Sequence, residues 1–580
     1  MTILQRDKII ALNERNGEIN QPDTPALLSR PSTSTFVEVE RDNFQIVEPE
    51  TSLQIQPMLR QKQMVLSNRF LAPSDQQVSE FYKAIVKMIA EDLQPVSIVE
   101  NSGFRHLVKL LDSRYQIPSR RALGRSIIPN IYAEVKNKIQ VQLNDAKYIS
   151  VTTDIWTSIN TDSFITITLT ESHTAVYLSE IITTELNKFD IFHKVVAIVT
   201  DGGRNINAAV RLMNIQHIPC TAHKLNLVVR NALSLTDNDI NVNGNIENND
   251  DGSSDSRLKE ILKKCRNIVG FFKRSEKGNR KLVEKQQQMG LQNILKLKQD
   301  VCTRWNSTLV MMERLVQLKE PITIVIMTLK EAPPNLSPDE WDVVEDCIPL
   351  LKPFHSITVE LSAEEYPTIS KVIPLIRGLQ IALTNKDPST IIGILLKSNL
   401  HENIRSRFQG IEKQSLIPHF GRATLLDPRC KKVAFKNEQN ASDAEASITA
   451  EVASLLNTPI PEPEVVHPVQ TETEDLWGFL TTKVNDMQSQ STTTSSAMVL
   501  VKQYLGMPYQ DLSCKLAEYW EKHKTLLYPL NEVALKYASI PATSVPSERI
   551  FFKTGQIMSA RRNRLLPENL DTLVFLNKNM

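Results

Sequence analysis

Two short runs of β-branched residues each end on an aspartate, and that pairing constrains the fold more than any other feature of this 580-residue chain. Tyr148-Ile149-Ser150-Val151-Thr152-Thr153-Asp154 and Val195-Val196-Ala197-Ile198-Val199-Thr200-Asp201 both have the composition of buried strands. Lying in one sheet, such strands deliver Asp154 and Asp201 to the same edge. Between them stand a third strand-like run, Phe164 to Leu169, and then Leu178, Ile181, Ile182 and Leu186 at helical spacing, so the expected order is β, β, α, β. Paired aspartates on rigid backbone are the hard oxygen donors that a magnesium or manganese ion takes. Strand-terminal aspartates also cap turns, so the pair alone does not choose between these roles.

Around this core the chain divides by composition. Residues 1–79 are polar and proline-rich and read as a disordered tail. Residues 80–145 carry apolar residues at helical spacing, divided by Pro95, Pro118 and Pro129, and read as a small helical domain. Within it, Arg120, Arg121 and Arg125 follow Ser119 at a helix start, where they either meet phosphates or line a solvated face. The strand-bearing part covers 146–235. An acidic, Asn-rich loop over 236–257 leads to an all-helical stretch, 258–456, and a low-complexity linker, 457–497, leads to a compact helical block, 498–580. In that block Lys553, Arg561, Arg562 and Arg564 form the most basic stretch, suited to phosphate contact or nuclear import.

Lys and Arg number 67 against 66 Asp and Glu, a net charge of +1, so any DNA contact must come from local basic patches. The six cysteines are scattered without the spacing of a secreted disulfide scaffold, which points to a reducing compartment. No run approaches the roughly 20 apolar residues that span a bilayer, so no membrane partner is expected.

Thr153-Asp154-Ile155-Trp156-Thr157-Ser158, Val199-Thr200-Asp201-Gly202-Gly203-Arg204-Asn205 and Cys220-Thr221-Ala222-His223-Lys224-Leu225-Asn226-Leu227 resemble the core of hAT superfamily transposases and of zinc-finger BED proteins related to them. Thr303-Arg304-Trp305-Asn306-Ser307 and the block from Pro541 through Ser547-Glu548-Arg549 to Leu565 are similar to the same family in the same order. The resemblance implies an α+β, mostly α fold: an RNase-H-like catalytic domain, here one strand short, interrupted by a large all-α insertion and preceded by a helical N-terminal domain. It implies Glu548 as third acid, with Asp154, Asp201 and Glu548 holding magnesium or manganese for DNA cleavage and strand transfer. It implies that Trp305, beside Arg304, stacks on an extruded base, although a lone tryptophan after arginine is otherwise core. It further implies a homodimer or higher homo-oligomer through the C-terminal region, DNA as partner and a nuclear location.

Cys220 and His223 match the family's short Cys/His motif. Two ligands do not make a tetrahedral zinc site, so packing is the expected role and no complete zinc site is expected. The family's members usually begin with a BED finger, and no cysteine precedes Cys220. The segment between Thr168 and His173 is also shorter than the family pattern by one strand, which leaves a neighbouring edge open to instability or partner pairing. Two main functions fit these residues: an active metal-dependent transposase, and a non-catalytic DNA-associated dimer acting in transcription or chromatin. A SUMO-ligase-like role, reported for one relative, finds no RING-type cluster here.

Overall fold

The computed structural model describes residues 2–5, 72–157, 163–164, 168–169, 172–234, 254–301, 304–363, 367–457, 480, 483, 493–557 and 567–580. Most of the tail, loop and linker expected at 1–79, 236–257 and 457–497 lies outside the described residues, as do Arg561, Arg562 and Arg564. The described residues form two compact units, one drawn from 1–10 and 139–555, the other from 11–138 and 556–580.

The smaller unit is helical. Its first helix, α1 (Asp75–Glu91), starts at Ser74, whose hydroxyl accepts from the Gln77 N–H while the Gln77 side chain accepts from the Ser74 N–H, a reciprocal cap. Ile85, Val86 and Ile89 bury one face of α1. Then follow α2 (Ser102–Leu111), a turn capped by Ser119, and α3 (Ile128–Asp145). The C-terminal helix Pro567–Asn579 sets Leu573 and Leu576 against this core, and the Asn577 amide donates to the Ala90 carbonyl at 2.6 Å. The block 498–580 is thus divided: its part through Gly555 packs with the sheet-bearing unit, and its end completes the helical one.

The larger unit holds a four-stranded sheet ordered β1 (Thr2–Gln5), β2 (Ile149–Thr152), β6 (Val195–Thr200), β7 (Gln216–Pro219). The last three are parallel, and β1 is antiparallel to β2. Between β2 and β6 lie β3 (Trp156–Thr157), β4 (Ser163–Phe164) and β5 (Thr168–Leu169), which make a separate antiparallel sheet. This corrects the expected order: the two-residue strands β4 and β5 stand at the two ends of the expected Phe164–Leu169 run and β3 precedes them, because pairs of two residues carry no alternation long enough to read. The outer edge of β2 is paired by Thr2–Gln5, so its backbone groups are not left unmatched.

The period-two alternation of strands assigns each face. Ile149, Val151 and Ile198 face α4 (Ala175–Lys188) and α5 (Arg204–Leu212), with Leu178, Ile182, Leu186 and Val210 beneath them. Ala197, Val199 and Ile218 face the other way, toward α6 (Thr221–Ala232) and the main helical core. On β2 that second face carries two hydroxyls, Ser150 and Thr152, both fully buried.

The helical stretch runs through α7 (Ser254–Arg274), α8 (Glu276–Gln288), α9 (Trp305–Gln317), α10 (Lys319–Thr328), α11 (Pro338–Leu361), α12 (Val372–Thr384), α13 (Ile391–Phe408), α14 (Pro418–Leu425) and α15 (Glu438–Leu456). It shares one continuous apolar core with α6 and with α16 (Thr493–Gly506), α17 (Leu516–Lys522) and α18 (Leu530–Ala538). Next comes α19 (Val545–Ile557), which carries Glu548 in its first turn, and α20 (Pro567–Asn579) is the C-terminal helix already described. The molecule is mostly helical around a small parallel sheet.

Candidate active site

Register brings the two aspartates together. Thr152 is opposite Val199 in the parallel pair, and the Thr153 N–H donates to the Val199 carbonyl at 3.0 Å, so Asp154 and Asp201 leave the sheet side by side. On the far side of β6, Thr200 is opposite Pro219 and the Cys220 N–H donates to the Thr200 carbonyl at 2.8 Å. The carboxyl ends of three parallel strands therefore converge, the usual place for a site in a sheet of this kind.

The turn after β6 is held from three sides. Gly202 has φ +102°, a conformation that favours glycine. The Asp201 carboxylate accepts from the Gly203 N–H at 3.1 Å, and the Asn207 amide donates to the Gly202 carbonyl at 3.1 Å. The Thr200 hydroxyl lies 3.1 Å from the Asn207 carbonyl oxygen and 2.8 Å from His217 Nε2. One hydroxyl proton cannot serve both, so when Thr200 donates to Asn207, the His217 ring donates to Thr200.

Glu548 arrives from a distant part of the chain and is pinned twice. The Thr152 and Ser547 hydroxyls share a buried hydrogen bond of 2.8 Å, one residue before Glu548 and two before Asp154. The Cys220 sulfur caps α6, accepting from the His223 N–H at 3.4 Å, and accepts also from the Ser544 N–H at 3.2 Å. The Thr221 N–H donates to the Ala542 carbonyl at 2.9 Å. Cys220 is buried in these contacts and acts as a strut between α6 and the segment that leads into α19.

The three carboxylates sense one another. Burial, then the charges of Asp201 and Glu548, push Asp154 up to about 7, against a hydrogen bond from the Ile155 N–H that favours its ionised form. Burial also raises Glu548, and Asp201 adds to that, while Arg304, His223 and Arg549 pull it down. Among the described residues, however, no three His, Cys, Asp or Glu side chains close into a metal-ligand set. The donors are all oxygen and their charges repel, so the set suits a hard divalent cation chemically without being closed around one.

The remaining expected site residues fall in several places. Arg304 is exposed with its guanidinium 5.7 Å from the centre of the Phe552 ring, on the helix that bears Glu548. Trp305 is only 2% exposed and meets Phe354 edge to face at 6.2 Å, so the indole sits in the core rather than on a surface that a base can reach. Its helix repeats Trp305, Thr308, Leu309 and Met312 on one buried face, the ordinary pattern of a core helix. Arg120, Arg121 and Arg125 are exposed in the helical unit. Sequence reasoning missed Thr152, Ser547, Asn207 and His217; the hydroxyls at alternate positions of β2 were the available signal for the first.

Residues 500–580 match the hAT family C-terminal dimerisation region, and residues 218–349 match the ZBED1 RNase-like helical domain. Zinc finger BED domain-containing protein 4 of Homo sapiens is 28% identical over 543 residues, covering 86% of this chain and 43% of that protein. Zinc finger BED domain-containing protein 6 of Homo sapiens is 24% identical, covering 87% of this chain and 55% of that protein. A putative AC transposase of Zea mays is 22% identical, covering 83% and 62%. The motif resemblance to hAT transposases and zinc-finger BED proteins is shown by these matches, and the chain spans about half the length of the curated relatives it matches.

Proposed function

We propose that this chain, which carries a hAT dimerisation region and is related to zinc finger BED proteins and to an AC transposase, is a nuclear DNA-binding protein of transposase descent. It self-associates through its C-terminal region, and Asp154, Asp201 and Glu548 hold magnesium or manganese within an RNase-H-like core. The observation that carries the site is the gathering of three carboxylates beside the ends of parallel strands, where burial and then the charges of Asp201 and Glu548 raise Asp154 to about 7. A bound divalent cation would supply charge to offset that repulsion and to activate an oxygen nucleophile toward a phosphodiester.

The residues divide the remaining work. Asp201 is fixed by its own turn, Glu548 by the Ser547 hydroxyl and the Cys220 strut, and Arg304 offers a cation beside Glu548 to an approaching phosphate. Exposed Tyr509, Leu512, Leu526 and Tyr528 give the 500–580 region apolar surface for self-association. Among the described residues no helix is long and apolar enough to cross a membrane.

Strand cleavage is the second reading, favoured by the presence of all three acids at one place. The test is calorimetric titration of manganese and magnesium into the chain and into Asp154→Ala, followed by nicking assays on labelled duplexes. Metal binding lost in the variant supports the cation site, and nicking lost with it supports an active transposase. A folded chain that binds neither ion sinks the metal reading and leaves a DNA-associated protein.

A further inference from the structure

The whole chain has a net charge of +1, yet residues 257–298 hold thirteen Lys and Arg against three Asp and Glu. They make up most of α7, all of α8 and the segment that follows. Part of this charge is answered locally: Lys264 pairs with Glu340 at 2.5 Å, Arg266 with Asp300 at 2.8 Å and Arg280 with Glu284 at 3.8 Å. Lys273, Arg274, Lys277, Lys281 and Lys285 form no ion pair among the described residues.

The helix α8 sorts its residues by face. Gly278, Leu282 and Gln286 recur at every fourth position and are buried. A Cβ at Gly278 would stand 3.0 Å from the Phe271 ring, so this face is seated closely on α7. The Gln286 amide accepts from the Leu295 N–H at 2.8 Å and donates to the Leu295 carbonyl at 3.1 Å, which fixes the far end of the helix. Lys277, Lys281 and Lys285 each stand one position before a buried residue, so they form a second stripe beside the first. Lys277 is exposed, while Lys281 and Lys285 are half-buried, their stems lying along the helix with the ammonium groups toward water. Exposed Lys273 and Arg274, in the last turn of α7, stand at the corner where the Ser275 hydroxyl caps α8.

This arrangement works against the fold that carries it. Lysines four positions apart on a helix repel one another, and cations at the first turn of α8 oppose its dipole. Glu276 and Glu284 offset only part of both effects. A polyanion laid along the stripe relieves both. Each four-residue step rises about 6 Å along the helix, and one strand of B-DNA carries a phosphate per about 3.4 Å of its axis. A strand running beside α8 therefore meets a lysine at roughly every second phosphate, and the lysine stems take up the difference. Its charge is continuous, as the stripe is, whereas the carboxylates of a folded protein surface are scattered.

We infer that this face of α8, with Lys273 and Arg274 at its corner, is a docking surface for the phosphate backbone of duplex DNA, indifferent to base sequence. It rests on the DNA-binding reading above and uses none of the three acids.

The full chain, in EDTA, is titrated against a short fluorescein-labelled duplex at several potassium chloride concentrations. Lys277→Gln/Lys281→Gln/Lys285→Gln is expected to weaken binding about 10- to 100-fold and to lower the slope of log affinity against log salt by about two to three. The matching triple arginine variant should retain both. Lys330→Gln/Lys413→Gln/Lys502→Gln removes the same charge from exposed lysines elsewhere and should change neither. Unchanged binding in the stripe variant, or an equal loss in the scattered one, overturns the surface. Polyglutamate that competes as well as duplex, charge for charge, assigns the face to an acidic polypeptide and overturns the DNA occupant. Without DNA, the stripe variant should melt no lower than the parent, since repulsion has been removed; a lower midpoint marks a packing role and counts against the surface. A parent chain that binds no duplex sinks the DNA-binding reading itself, and the docking surface with it.

Discussion

Thr152 and Ser547 stand 395 positions apart in sequence and share a hydrogen bond of 2.8 Å between buried hydroxyls. Thr152 is two residues before Asp154, and Ser547 is one residue before Glu548. The bond ties the strand that carries the first carboxylate to the helix that carries the third. Thr152→Val leaves the Ser547 hydroxyl buried without its partner and should cost about 1–3 kcal/mol, and Ser547→Ala should cost a similar amount. The double variant Thr152→Val/Ser547→Ala should cost little more than either alone, because the two deletions remove one interaction. Urea denaturation of the four chains checks this; strictly additive losses would show that the hydroxyls act separately.

The acidic centre should leave a mark on stability in the metal-free chain. Burial and carboxylate repulsion put Asp154 near 7 in the fold, above its ordinary 3.8. The folded chain binds this proton more tightly than the unfolded chain, so its contribution is fully present below pH 3.8 and is lost as pH rises through about 7. Asp154→Asn should therefore be more stable than the parent at pH 8, by on the order of 1–3 kcal/mol, with the gap closing toward pH 4. Thermal midpoints of both chains across that range, in EDTA, are the measurement, and a pH-independent difference would contradict the shift.

A different buried charge has the opposite consequence. Asp427 is fully buried and accepts from Arg429 at 2.6 Å and from the Ser370 hydroxyl at 2.7 Å. Removing one partner strands the other, so Asp427→Ala or Arg429→Ala should each cost about 3–5 kcal/mol in denaturant unfolding. A loss below 1 kcal/mol would mean that water reaches the surviving charge.

In the helical unit, Leu576 has no exposed surface and packs with Val86 and Ile89 across from the C-terminal helix. Leu576→Ala should cost about 2–5 kcal/mol locally. Hydrogen exchange should then quicken in both 75–91 and 567–579, since the two helices depend on one core. Faster exchange in the C-terminal helix alone would show that α1 holds without it.

Much of this architecture was legible because it is written at short range. The β-branched runs ending on Asp154 and Asp201 gave both strands and their common edge, and the repeat of Leu178, Ile182 and Leu186 gave α4. Other elements depend on partners far away in sequence. Nothing in Thr2–Gln5 announces that it pairs with β2, and the two-residue strands of the small antiparallel sheet are too short to show a period. Trp305 could be read either as an exposed platform or as core until the buried face of its helix was seen.

The wide spacing of the three acids also has a consequence in time. Glu548 follows Asp201 by 347 positions, 548 minus 201, with the helical stretch between them. At about 5–20 residues per second, a ribosome takes roughly 17–70 s to travel that distance. Throughout that interval the nascent chain displays two aspartates without the glutamate, the strut or the hydroxyl pin that would complete the centre. Whatever chemistry the centre performs is thereby withheld from the unfinished polypeptide until the segment that carries Glu548 has been made.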